Sequence, residues 1–134
     1  MQQKYSICFI DDDGVYKFFM QGVLNKKKLA DNVITFADGE EAYEFINKNK
    51  EIPENLPDLI FLDINMPIMD GFQFMDEYMN IHKAIKKKIT IFMVTSSIDP
   101  IDLERSKQYA EISDFITKPM KVSVLEEIIN RLRK

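Results

Sequence analysis

The side chains of this 134-residue chain best suited to do chemistry together are the acids Asp11 to Asp13 and Asp63, the hydroxyl of Thr95 and the ammonium of Lys118. Carboxylates gathered within a few Å repel one another, so ionising all of them is costly unless a cation is at hand. A hard divalent ion answers that need. Mg2+ takes oxygen ligands and keeps several waters, so two carboxylates, a backbone carbonyl and open positions for phosphoryl oxygens suit it. An aspartate at such a place can attack phosphorus and form an acyl phosphate. The rest of phosphoryl transfer is positioning and charge stabilisation, which the cation and Lys118 can supply, while the Thr95 hydroxyl can donate to a phosphoryl oxygen. Taken singly, each residue also has a plainer role as helix cap, strand end, turn or surface lysine.

To act together these residues need a scaffold that ends several strands along one edge. Leu59 to Leu62 is an apolar run without alternation, the pattern of a strand buried on both faces, and it leads straight into Asp63 and the turn residues before Gly71. Tyr5 to Ile10, Asn32 to Ala37, Ile89 to Val94 and Asp114 to Thr117 read as further strands. Three of them stop at Asp11-Asp12-Asp13, Thr95 and Lys118, with Ser96 and Ser97 beside Thr95 placed to tune access of water.

Helical spacing fills the intervals. Tyr16, Phe19, Met20, Val23 and Leu24 form one inward stripe, with Val15 and Phe18 outside it. Ala42, Phe45 and Ile46 follow Asp38-Gly39, and Phe72, Met75, Tyr78 and Met79 follow Asp70-Gly71. Asp99-Pro100 predicts a capped start for a helix carrying Ile101, Leu103 and Tyr109 inward, and Val124, Leu125, Ile128, Ile129 and Leu132 mark the last helix. Residues 47–58, with Pro53 and Pro57, read as a loop. Strands alternating with helices predict a doubly wound α/β domain with a five-stranded parallel sheet and right-handed crossovers. Ligands bind such sheets at the carboxyl ends of the strands, where Asp11 to Asp13, Asp63, Thr95 and Lys118 converge.

Bulk composition narrows the function. With 46% apolar residues the chain can bury a continuous core, and a net charge of −4 argues against direct nucleic-acid binding. The lone Cys8 lies in an apolar run and reads as a buried thiol in a reducing compartment. No secretory signal or membrane span is apparent, so a cytoplasmic protein without membrane contact is expected. The cluster of Lys83 and Lys86 to Lys88 reads as a solvated loop, with His82 exposed beside it.

The strings FIDDD, LDINMPIMDG, MVTSS and DFITKP, in this order and at these spacings, resemble the receiver domain of bacterial two-component response regulators, in particular a stand-alone, chemotaxis-regulator-like one. The resemblance spans residues 1–134 as a single domain. It implies a flavodoxin-like (βα)5 fold of strand order 2-1-3-4-5. It also implies a phosphoacceptor at Asp63, Mg2+ held by Asp11, Asp12, Asp63 and the backbone carbonyl of Asn65, a phosphoryl-sensing Thr95, an ion-pairing Lys118 and a switch aromatic at Phe115. The triple acid leaves two registers open: if the pair sits one residue later, Asp13 is the ligand. Phe115 has no hydroxyl, so a switch there must be apolar.

These expectations describe a signalling phosphoacceptor that assists its own phosphorylation and dephosphorylation and is not an enzyme acting on another substrate. A haloacid-dehalogenase-like phosphatase needs a second acid two residues after its nucleophile, and Asn65 stands there instead. A degenerate receiver serving only as an interaction module would lack an acid or the lysine, and all are present. Because the chain ends just after the last helix, the expected output is another protein, unless the chain is a fragment of a longer one, and the expected state is a monomer or a weak phosphorylation-dependent homodimer. Val15 and Phe18, beside the acids, suit the docking of a histidine kinase or histidine phosphotransfer protein.

Overall fold

A computed structural model describes residues 4–96 and 99–133; Ser97, expected beside the site, lies outside them. Strands β1 (Ser6–Ile10), β2 (Asn32–Phe36), β3 (Leu59–Asp63), β4 (Thr90–Thr95) and β5 (Ile112–Thr117) alternate with helices α1 (Gly14–Lys26), α2 (Gly39–Asn49), α3 (Gly71–Ile81), α4 (Pro100–Ser106) and α5 (Val122–Arg133). All strand pairs are parallel and the sheet order is β2-β1-β3-β4-β5, as the resemblance implied.

The unalternated apolar strands are explained by the two cores they separate. Ile7, Phe9, Leu59, Phe61, Phe92 and Val94 face Met20 and Leu24 of α1 and Leu125, Ile128 and Ile129 of α5. Their neighbours Cys8, Ile10, Ile60, Leu62, Ile91 and Met93 face Ala42 and Ile46 of α2 and Phe72, Phe74 and Met75 of α3. Phe9, Phe61 and Phe92 stack across three adjacent strands, with ring centroids 5.3 and 5.9 Å apart. Each burying an area on the order of 150–250 Å², such rings anchor the β1-β3-β4 centre that carries the site.

Several expectations need correction. Phe19 is 56% exposed, because α1 buries only Met20 and Leu24 against the sheet and Phe19 rides at the edge of that stripe. Ile101 is 77% exposed: it stands in the first turn of the seven-residue α4, which turns Ser106 inward instead. Phe74, outside the expected α3 stripe, is instead buried, since α3 faces α2 as well as the sheet. The expected loop begins later, with α2 reaching Asn49, and it contains a 3-10 turn, Pro53–Asn55. Lys87 is anchored there, donating to the Leu56 carbonyl at 2.7 Å and pairing with Asp58 at 3.2 Å. His82 is half-buried, stacked on Tyr78 and 3.3 Å from Glu111.

Candidate functional site

Parallel pairing brings the strand ends together. Asp63 lies opposite Val94 and Thr95 opposite Thr117, so Asp63, Thr95 and Lys118 emerge on one edge, and Asp11 follows Ile10 on the neighbouring strand. Asp11 extends the ladder by donating its N–H to Phe36 O at 3.0 Å, and the Lys118 N–H donates to Thr95 O at 2.6 Å. The Lys118–Pro119 peptide is cis.

The three acids Asp11, Asp12 and Asp63 offer carboxylate oxygens that all lie within 4.8 Å of one another. Asp11 and Asp63 are buried and Asp12 is exposed. Asp13 has other work: its carboxylate accepts from Tyr16 N at 3.0 Å and caps α1, while its own N–H donates to Asp11 Oδ1 at 2.9 Å. Of the two registers open in the sequence, the clustered one is Asp11 with Asp12.

Lys118 supplies the positive charge. Its Nζ lies 2.6 Å from Asp11 Oδ2 and 3.9 Å from Asp63 Oδ2. Burial, and then the charge of Asp11, push the Asp63 carboxyl up from 3.8 to about 6, against the opposing pull of Lys118 and of a hydrogen bond from the Asn65 backbone. This excess of negative charge on hard oxygen donors is what a divalent cation relieves, so the donor set fits Mg2+.

Gly71 lets α3 start directly over the acid. A Cβ there would come within 2.6 Å of the Asp63 carbonyl oxygen and 3.0 Å of Ile64 Cα, so only glycine permits this approach. Its N–H donates to Ile64 O at 2.9 Å, and Asp70 closes the start with a capping box to Gln73.

Asp11, Asp12, Asp63, Thr95 and Lys118 are thus gathered at one place, with exposed Asn65 in the loop just beyond Asp63. Thr95 is 1% exposed at the end of β4. Phe115 stands further off, half-buried in β5 against the α2-α3 core. Val15 and Phe18 are 81% and 80% exposed, and Phe19 extends their patch. Sequence reasoning missed Tyr16, which counted only as a core residue. Its ring lies under Lys118 Nζ, 4.7 Å from the centroid. An aromatic one turn into the helix that follows the acids was the available signal.

Residues 7–130 match the family model described as the response regulator receiver domain. Among curated proteins, the chain is 28% identical over 127 residues to the sensor histidine kinase CheAY of Helicobacter pylori, covering 95% of this chain and 15% of that protein. It is 29% identical over 123 residues to a protein-glutamate methylesterase/protein-glutamine glutaminase of Methanococcoides burtonii, covering 92% of this chain and 32% of that one. The chain therefore spans a third or less of these relatives. Among solved structures, a two-component response regulator from Cytophaga hutchinsonii shares the fold with a TM-score of 0.83 at 22% identity, covering 98% of each chain. The Vibrio cholerae chemotaxis protein CheY4 matches with a TM-score of 0.75 at 25% identity over 96% of this chain and 98% of that one.

Proposed function

The chain belongs to the response regulator receiver domain family, and from that premise we propose that Asp63 accepts a phosphoryl group from a phosphohistidine and that the 134 residues work as one receiver domain. The observation that carries the reading is the position of Asp63: buried, grouped with Asp11 and Asp12, and 3.9 Å from the Lys118 ammonium.

A carboxylate oxygen of Asp63 attacks phosphorus as the P–N bond to the donor imidazole breaks, and the imidazole leaves with its electron pair and takes up a proton. Even with its carboxyl raised to about 6, Asp63 is mostly ionised near neutral pH and available as the nucleophile. Asp11, Asp12, Asp63 and the Asn65 carbonyl would hold Mg2+, which when bound supplies charge to the phosphoryl oxygens. Lys118 supplies the second positive charge and orients the equatorial oxygens. Burial of Asp11 and Asp63 keeps the reacting edge dry on the sheet side.

The hydroxyl of Thr95 donates to the arriving phosphoryl group, and the space it vacates lets half-buried Phe115 turn inward, changing the face made by α4, β5 and α5. Driving such an equilibrium from 1:99 to 99:1 takes about 5.5 kcal/mol, which several charge-assisted hydrogen bonds can supply and one cannot. The exposed patch of Val15, Phe18 and Phe19 beside the acids receives a histidine kinase or phosphotransfer protein. Among the described residues no helix is long and apolar enough to cross a membrane. We place the protein in the cytoplasm, as a signalling partner without direct nucleic-acid contact and not an enzyme on a separate substrate, a monomer or weak phosphorylation-dependent homodimer that hands its signal to another protein.

The test is intact mass after incubation with acetyl phosphate, with and without Mg2+, beside Asp63→Asn. One Mg2+-dependent phosphoryl adduct, absent from Asp63→Asn, is expected. No adduct, with turnover excluded by assay of released phosphate, overturns the proposal.

A further inference from the structure

Tyr16 does more than fill the α1-α5 core. Its backbone N–H is tied to the Asp13 carboxylate at 3.0 Å, and its ring sits edge-on to Phe9, 6.2 Å between centroids at 87°. The first anchors the backbone and the second flanks the ring, which lies beneath the Lys118 ammonium, 4.7 Å from its centroid. The hydroxyl, by contrast, is buried and makes no hydrogen bond among the described residues. The face of the ring is used and its polar tip is not.

Lys118 needs such a support. Its side chain is only 16% exposed, and its close counter-charge is Asp11 at 2.6 Å, with Asp63 at 3.9 Å. Any cation held by the acids draws on the charge of Asp11 and so weakens the grip on the lysine. A half-buried ammonium that loses its partner tends to swing into water. An aromatic face attracts it without needing a second charge and without fixing it to one point, so the ammonium can turn from Asp11 toward Asp63 while staying over the ring.

We infer that Tyr16 is a positioning residue whose ring face, and not its hydroxyl, holds the Lys118 ammonium between Asp11 and Asp63. The inference rests on reading Asp63 as the acceptor and Lys118 as its partner. It assigns to the first turn of α1 control over how fast Asp63 is phosphorylated, separate from the acids themselves.

The experiment compares the parent with Tyr16→Phe, Tyr16→Leu and Tyr16→Met. One readout is the rate of adduct formation with acetyl phosphate and Mg2+ by intact mass, across phosphodonor concentrations. The other is the NMR shift of the Lys118 ε-methylene, taken without phosphodonor. In the parent and Tyr16→Phe the methylene is ring-shifted upfield and the rates agree within about twofold; in Tyr16→Leu and Tyr16→Met it returns downfield and the maximal rate falls about three- to tenfold, the size of a partly desolvated cation–π contact. Equal losses in Tyr16→Phe and Tyr16→Leu overturn the assignment to the ring face. Parent-like rates in folded Tyr16→Leu, or an unshifted methylene in the parent, overturn the inference. A parent that forms no adduct refutes the acceptor reading instead, and the methylene shift still decides whether the ring holds the ammonium.

Discussion

The Lys118 ammonium is paired with Asp11, 2.6 Å from its Oδ2, and stands at 3.9 Å from Asp63. Lysine and any bound cation therefore compete for the same carboxylate. Removing the ammonium leaves three neighbouring acids without a positive partner among the described residues, which costs most when all are ionised. Lys118→Met is expected to lower stability at pH 7.5 by about 2 kcal/mol, less at pH 5 where a carboxyl can take up a proton. The same variant should bind Mg2+ about fivefold or more tightly, since no lysine has to be displaced from Asp11. Chemical unfolding and Mg2+ titration calorimetry check both. Unchanged or weaker Mg2+ binding would show that Asp11 is not shared.

Asp63 makes the fold pH-dependent with a definite sign. Its folded value of about 6 exceeds the ordinary 3.8, so the native state holds the proton more tightly than the unfolded chain does. Its contribution favours folding below the unfolded value and is lost as pH rises through about 6, where the buried carboxylate becomes a net cost. Asp63→Asn should therefore stabilise the protein at pH 7.5 by about 1–3 kcal/mol, with the gain fading as pH falls below the folded value. Denaturant midpoints at pH 7.5, 6 and 4 measure it. A constant difference across that range would assign the effect to packing.

The central strands were legible because a two-sided parallel sheet writes apolar runs, and those of β1, β3 and β4 run into Asp11, Asp63 and Thr95, which parallel pairing brings to one edge. Leu59 to Asp63 carries both signals at once. Helix faces were less legible, because period alone does not say how wide a buried stripe is. Phe19 and Met20 are neighbours on one helical pattern, yet only Met20 meets the sheet. Ile101 is exposed in the first turn of α4, whose buried residue is Ser106. Apart from Lys118 with the acids, contacts made by charge were not legible. His82 against Glu111, Lys87 against the 3-10 turn and Tyr16 beneath Lys118 join residues whose proximity only the fold creates.

The loop between Asp63 and α3 carries backbone strain. Ile68 has φ 67°, a left-handed conformation that β-branched residues rarely adopt, inside a tight turn where Met69 N–H donates to Pro67 O at 2.7 Å. Its side chain is 74% exposed, so replacing it gives up little burial. Asparagine tolerates this region, and Ile68→Asn should raise stability by about 0.5–1 kcal/mol, a few degrees in Tm. A thermal melt that moves downward instead would show that Ile68 packs against the loop more than its exposure indicates.

Gly71 has the opposite sensitivity. A methyl group there meets the Asp63 carbonyl oxygen at 2.6 Å, and that neighbour is backbone, which cannot swing aside. Gly71→Ala must push the start of α3 away from the end of β3, at a cost of about 1–3 kcal/mol. Because the displaced atoms include the main chain of Asp63 itself, phosphorylation by acetyl phosphate should slow even at temperatures where the variant is folded. Parent-like stability would mean that α3 shifts freely over the site.

The patch of Val15, Phe18 and Phe19 separates docking from chemistry. Residues three and four apart on α1 share one face, and this one is apolar, exposed and next to the acids. Nothing in the fold needs Phe18, which is 80% exposed, so Phe18→Lys should change stability by less than about 0.5 kcal/mol. Acetyl phosphate is too small to touch the patch, and its reaction with Asp63 should proceed at the parent rate. On the proposed docking, a phosphorylated histidine phosphotransfer domain that reacts with the parent seats on this patch, and loss of a central aromatic anchor typically costs about 2 kcal/mol or more, so transfer should slow at least about tenfold. Both reactions can be followed by loss of the donor and gain of the mass adduct. Equal rates from the protein donor for parent and Phe18→Lys would move the docking site elsewhere, whereas a parallel loss with acetyl phosphate would mean that the substitution had disturbed the acids themselves.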